Sequence, residues 1–408
     1  MKVTNKAKVV AFSAWNAVFA LQVLGNIGSG PMSIVSAHIT PKAAFKRQGR
    51  GKIRGVIDNR SDGIGEVTTT VTQHQRRLPK ANDDSNQQLP TTCDDLPFTI
   101  DEDFEFTETF DLTRLTNCVD YDGLIFNVVD EGVKINCNDY SIVGNGLTSA
   151  FAMVGGEGGE IINCVFENHN RGIDADFDTD HIGNKIKVKK TKFINVNVAL
   201  EVVCMNDAES VNGIVEDCQF VQVNHPISIY FYGASTGTIK IESSDFLGDG
   251  SRYSPIYIHG QGDETEIDTY MKDLLVSNFV NNGISFKTNQ EQQMKSELVV
   301  DNVILHNVLG YPFDISGLKQ ATFNQLQYLG EKPNSGAILN LGKIEKDVTV
   351  ENSNLCSSSG DDTDVLSIQL RDDINYVLGG DVVCNTVKFY NTQDPLTIEP
   401  YCSASCNS

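Results

Sequence analysis

Beyond residue 140 the chain repeats one short pattern of small, apolar and polar positions. The phrases "SAFAMVG", "RGIDADF", "VALEVVC", "HPISIYF", "SPIYIHG", "NGISFKT" and "YPFDISG" each carry a small residue or proline, then a short apolar/polar alternation. Alternation with period two marks a strand with one buried face. The leading residues are Ala150, Gly172, Ala199, Pro226, Pro255, Gly283 and Pro312, spaced 22, 27, 27, 29, 28 and 29 residues apart. Weaker copies follow as "GAILNLG" from Gly336, "DVLSIQL" from Asp364 and "DPLTIEP" from Asp394. A second strand precedes the earlier copies and ends in an aromatic, at Phe166, Phe193, Phe220, Phe246 and Phe279. Asn170, Asn197, Asn224 and Asn281 each stand two residues before an anchor. Asparagine tolerates the left-handed backbone of a sharp corner, and stacked asparagines can hydrogen-bond as a ladder.

A fixed period of this length marks a solenoid; a propeller blade needs roughly 40 residues. No amphipathic helix and no "LxxLxLxxN" phrase accompanies it, which excludes helical and leucine-rich repeats. The pattern predicts an all-β chain wound as a single-stranded parallel β-helix of about ten coils over residues 91–408. Neighbouring coils would lie about 4.8 Å apart, each burying what one coil alone could not. Right-handed winding follows from the usual crossover preference.

The same alternation sorts the chemistry. In "GIDADFD", Ile173, Ala175 and Phe177 point inward, and Asp174, Asp176 and Asp178 outward; Asp180 continues the series. An EF-hand counted from Asp174 would need glycine and glutamate where Thr179 and Lys185 stand, so these aspartates form a strand face and not a calcium loop. Glu201 falls one coil above Asp174, and Ser228, Tyr230, Tyr257, His259, Ser285, Lys287, Asp314 and Ser316 continue the outward ribbon. Carboxylates about 5 Å apart repel by roughly 0.8 kcal/mol in water. Asp174, Asp176 and Glu201 are therefore candidate calcium ligands, or else a solvated acidic face. Tyr257, His259 and Lys287 are the candidate catalytic residues, with Tyr230 and Asp314 as substrate-binding partners. Aromatic rings beside polar groups cradle sugars, and a Lys, Tyr or His can abstract the proton next to a uronate carboxyl. The alternative is a polar ladder in which Lys287 and Asp314 form a surface pair. For a hydrolase, Asp174 and Glu201 are the nearest pair of acids.

With segments such as "GVKINCNDYSIVGNG" (Gly132 to Gly146), the sequence resembles the right-handed β-helix proteins of the pectate-lyase-like superfamily over roughly residues 95–400. The resemblance implies the architecture; the superfamily holds polysaccharide lyases, glycoside hydrolases, epimerases and adhesins without chemistry. Its polygalacturonase motifs are incomplete here. Asn206-Asp207 lacks the middle residue, His259-Gly260 lacks the first glycine, and Asp361-Asp362 falls too late. The paired-arginine phrase of pectate lyases is not visible either.

Charge and cysteines place the chain. Net charge is −22, but residues 1–80 hold 13 Lys and Arg against 3 Asp and Glu, leaving 19 against 51, a balance of −32, on the rest. Such a surface repels phosphate backbones, so no nucleic-acid partner is expected. Residues 1–37 read as a secretory signal: a basic start, the apolar run "VVAFSAWNAVFALQVLG" and the triplet Val35-Ser36-Ala37 before the cut. Residues 38–90 lack periodicity and read as a disordered linker or as a propeptide cut near Arg76-Arg77. The expected product is secreted, with no membrane attachment after signal removal, and monomeric. The chain holds 10 cysteines, and this compartment allows disulfides. One-coil spacings suggest Cys137–Cys164 and Cys356–Cys384, with Cys402–Cys406 and Cys93–Cys118 beside them, and buried thiols as the alternative. The function expected is binding, with cleavage or epimerisation in view, of an extracellular, acidic polysaccharide. The alternative is a non-catalytic module that binds calcium or a surface through its acidic face. Beyond calcium no cofactor is implied.

Overall fold

The computed structural model describes residues 88–408, apart from 119, 131, 155–157, 178–184, 206–207, 209, 263, 290–293, 359–365, 372–374, 380, 385–386, 391–404 and 407–408. The expected signal peptide and nearly all of the expected linker or propeptide lie outside the described residues. So do Asp178, Asp180, Asn206-Asp207, Asp361-Asp362, Cys402 and the "DPLTIEP" copy.

The chain is an all-β parallel solenoid of about nine turns. Strands one turn apart pair in parallel, and short rungs at both ends bring the first sheet to 12 strands, from Phe98–Ile100 to Val387–Tyr390. The second sheet takes two short strands from most turns, which fuse into single long ones at Thr236–Ser251, Glu266–Phe279 and Glu297–Val308.

The anchors stack as the spacing predicts. Ile173 pairs with Leu200, Leu200 with Ile227 and Ile227 with Ile256, which puts Gly172, Ala199, Pro226 and Pro255 in one vertical row. Gly283 and Pro312 continue it. At Gly172 this corner leaves no room for a side chain. A Cβ on Gly172 would lie 2.5 Å from the Ala199 carbonyl oxygen and 2.9 Å from the Phe193 ring. Past Pro312 the row passes through Ile338, because Phe313 pairs with Leu339; Gly336 lies two residues early.

The interior is an aromatic pile flanked by aliphatic columns. Phe166, Phe193, Phe220 and Phe246 stack face to face, with centroids 4.9, 5.1 and 4.8 Å apart and planes within 8°. Offset ring pairs of this kind add about 0.5–1.5 kcal/mol each beyond area burial. Phe279, expected as the next member, pairs instead with Ser251, and Val276 sits over Phe246.

The corner asparagines divide the two roles expected of them. Asn170, Asn197 and Asn224 form the ladder, with amide-to-carbonyl bonds of 3.1 and 3.0 Å. The left-handed backbone belongs to residues just before them, Asn168, Asn195 and Gln222, with φ between 54° and 58°. Asn195 also donates to Asn168 at 2.7 Å, so two ladders run side by side.

Disulfides close the lower turns and the upper end. Cys93–Cys118 and Cys137–Cys164 form as expected, with Cα atoms 5.4 and 4.7 Å apart. Cys356 pairs with Cys406 and not with Cys384, which also removes the expected Cys402–Cys406 bond. Cys204 and Cys218 are buried free thiols.

Candidate functional site

The candidate residues all project from the outer face of the first sheet, because each shares the parity of the aspartates in Arg171–Phe177. Asp174 and Asp176 are half-buried between the buried Ile173, Ala175 and Phe177. One outward column then runs Asp174, Glu201, Ser228, Tyr257, Ser285, Asp314, Asn340. The next runs Asp176, Val203, Tyr230, His259, Lys287, Ser316. All eight expected site residues therefore lie on two adjacent columns, in three groups.

The lowest group is acidic. Arg171 Nη1 lies 3.0 Å from Asp174 Oδ2 and also reaches Glu201 Oε2, so one guanidinium bridges two carboxylates on successive turns. The sequence reading missed this arginine, although it leads the phrase "RGIDADF". Burial and the Asp174 charge push Asp176 up to about 6, against a smaller opposite pull from Arg171. Glu201 is raised as well, by burial first, with Arg171 opposing and the two aspartates reinforcing. Asp174, Asp176 and Glu201 were the expected calcium ligands. Among the described residues no group of three or more His, Cys, Asp or Glu is placed to hold a metal ion, and the guanidinium stands where the cation was expected.

Two turns higher is an aromatic patch. Tyr230 and Tyr232 are nearly parallel at 6.4 Å and 5°. Tyr230 meets Tyr257 at 5.7 Å, and Tyr257 lies along His259 at 6.1 Å and 12°. Tyr232 is the member the sequence reading passed over; its outward parity with Tyr230 was the available signal. Burial, then Glu201 and the neighbouring tyrosines, push Tyr230 up to about 12. Tyr257 and Tyr232 are raised too, chiefly by burial. His259 is lowered by burial and by Lys287, and its buried Nδ1 has no hydrogen-bond partner. It is thus a neutral imidazole at pH 7.

The third group is a polar knot. Asp314 is 8% exposed. It accepts from Lys287 Nζ at 2.6 Å, from Asn340 Nδ2 at 2.8 Å and from Asn282 Nδ2 at 3.2 Å. The Lys287–Asp314 pair weighed from the sequence is therefore present, with two amides completing it.

No family model, curated protein or solved structure matches this chain. Its function is therefore argued from the geometry.

Chemically, the patch offers three aromatic faces with hydroxyls and one imidazole, between an acidic group that Arg171 only partly neutralises and a lysine paired with Asp314. Each outward column advances about 4.8 Å per turn, close to the scale of one sugar ring. Both tyrosines expected to act as base or binder keep their protons over the neutral range, and the Lys287 nitrogen is engaged by a carboxylate. His259 is the neutral base left among the expected catalytic residues.

Proposed function

We propose that the protein is a secreted polysaccharide-binding β-helix, with Tyr230, Tyr232, Tyr257 and His259 as its sugar-binding face. The observation that carries this reading is the continuous run of four half-buried rings on three neighbouring columns, spaced 6.4, 5.7 and 6.1 Å apart. Half-buried tyrosines lose little side-chain entropy on contact and present both an apolar face and a hydroxyl. Lys287 borders the patch, is partly exposed and would supply hydrogen bonds to sugar hydroxyls. The three disulfides among the described residues fit an oxidising, extracellular setting, and no helix among those residues is long and apolar enough to cross a membrane.

Binding is favoured over cleavage or epimerisation because raised tyrosine pKa values and an engaged lysine do not make general bases. The chemistry of a lyase or epimerase in the pectate-lyase-like superfamily would fall to His259, with Tyr257 beside it. Calcium at Asp174, Asp176 and Glu201 would have to displace Arg171 from two of its three ligands.

Isothermal titration against neutral and acidic oligosaccharides tests the reading. Tyr257→Ala should weaken the bound glycan about tenfold, the roughly 1.4 kcal/mol expected of one central aromatic contact. Tyr140→Ala, an exposed tyrosine outside the patch, should leave affinity unchanged. Equal binding by wild type and Tyr257→Ala would rule the patch out. Unsaturated sugar ends absorbing near 235 nm, lost in His259→Gln, would instead make the protein a lyase.

A further inference from the structure

A second feature stands on the other sheet. Strands Lys185–Lys189, Val211–Glu216 and Thr236–Ser251 set Lys185, Asn212 and Thr238 in one outward column, and Lys187, Ile214 and Lys240 in the next. On this face register supplies lysines with counter-charges. Lys187 Nζ lies 2.7 Å from Glu160 Oε1 one turn below, and Lys189 pairs with Glu216 one turn above.

Lys185 and Lys240 escape that rule. Lys185 is in register with Gly158 and Asn212, and Lys240 with Ile214 and Tyr270. Among the described residues neither forms an ion pair, and both are exposed. Together with Asn212, Gly213, Ile214 and Thr238 they line a depression of about 160 Å³. That volume is below the 300 Å³ or more of a drug-sized pocket and suits one charged group with part of a ring. On a chain of net charge −22, two lysines without an ion-pair partner on the lining of one hollow mark a place where an anion gains. The Lys240 nitrogen also lies 6.0 Å from the centroid of Tyr270, whose side chain is 41% exposed.

We propose that this depression binds an anionic sugar unit. The carboxylate or sulfate sits between Lys185 and Lys240, the Thr238 hydroxyl donates to it, and the ring rests on Ile214, with the chain of sugars reaching Tyr270 at the rim one turn beyond Lys240. Asn212 Nδ2 bonds the Ser210 carbonyl at 2.8 Å and keeps a second hydrogen for the ligand. A free oxyanion would find the same ammonium groups; the exposed Tyr270 ring is what favours a sugar. This site shares no residue with the tyrosine patch, so either can fail without the other.

The test uses the full chain and four probes: sodium sulfate, oligogalacturonate, dextran sulfate and unmodified dextran. Oligogalacturonate or dextran sulfate should bind, with affinity falling as salt rises, while dextran should not bind at this site. Lys185→Gln/Lys240→Gln should weaken binding at least tenfold, and each single substitution should weaken it less. Tyr270→Ala should weaken the oligosaccharide but not inorganic sulfate, and Tyr140→Ala, outside both sites, should change neither. Sulfate binding as tightly as the oligosaccharides would overturn the sugar assignment in favour of a simple oxyanion site. Absence of binding, or unchanged binding by a lysine double variant that melts like wild type, would overturn the site altogether.

Discussion

Phe193→Ala should destabilise the protein by about 3–5 kcal/mol, the usual cost of emptying a fully buried phenylalanine site. Phe193 has no exposed surface and lies between Phe166 and Phe220, with ring planes 8° and 3° away. The hole cannot close easily, since the strands above and below are fixed by parallel ladders: Phe193 pairs with Phe166 on one side and Phe220 on the other. Gly172, whose missing Cβ leaves room for the Phe193 ring, would also lose its packing partner. Phe193→Leu keeps most of the volume and should cost distinctly less. Tyr140→Ala, at 38% exposure, should stay within about 0.5 kcal/mol of wild type. Urea midpoints of the three variants check the order. A Phe193→Ala midpoint equal to that of Tyr140→Ala would mean that the rings do not form an interior pile.

Stability should also fall steeply as pH drops from 6.5 towards 4. His169 is 1% exposed, and burial lowers it from 6.5 to about 4. Its Nε2 sits 2.8 Å from the Ile142 carbonyl oxygen, to which it donates; Nδ1, 3.2 Å from Thr148 Oγ1, accepts. In this window the unfolded chain takes up a proton on His169 and the folded chain does not, so acid favours unfolding. The full effect of such a shift is about 3 kcal/mol. His225, lowered to about 4 by burial, works in the same direction. Asp176 works against both. Its carboxyl is raised from 3.8 to about 6, so the folded chain binds that proton first and gains stability as pH falls through this range. Thermal melts from pH 7.5 to 4 should therefore slope downward, and His169→Gln should flatten the slope. Asp176→Asn should melt higher than wild type at pH 7.5 and lose stability more steeply below pH 6. A His169→Gln slope identical to wild type would contradict this assignment.

Gly172, Ala199 and Pro226 were legible from the sequence because the period and the alternation both survive in the letters. The same two signals fixed which way every candidate side chain faces. They failed where a local choice has two solutions of equal period. Asn168 and Asn170 recur together as Asn195 and Asn197, and only the backbone shows that the earlier member is left-handed. Gly336 satisfies the small-then-alternating rule, but it comes two residues too soon after Pro312, and register selects Ile338. Cys356 and Cys384 are one period apart, yet the bond is to Cys406, where the chain comes back after 50 residues. Arg171 was missed for another reason. Parity assigns a face but not a reach, and a long guanidinium crossing to the next turn leaves no mark in spacing.

Cysteine pairs placed across adjacent turns test the winding itself. Glu242 is in register with Lys272, and Thr322 with Thr349, all on the outer face of the second sheet. Under mild oxidation, Glu242→Cys/Lys272→Cys and Thr322→Cys/Thr349→Cys should each form an intramolecular disulfide quickly, since Cα atoms one turn apart fall in the bonding range, as at Cys137–Cys164 with 4.7 Å. The off-register pair Thr322→Cys/Asp347→Cys should lag well behind. If the in-register pairs stayed reduced while the off-register pair closed as fast, the chain would not wind in these turns, and neither sugar site could be assembled as described.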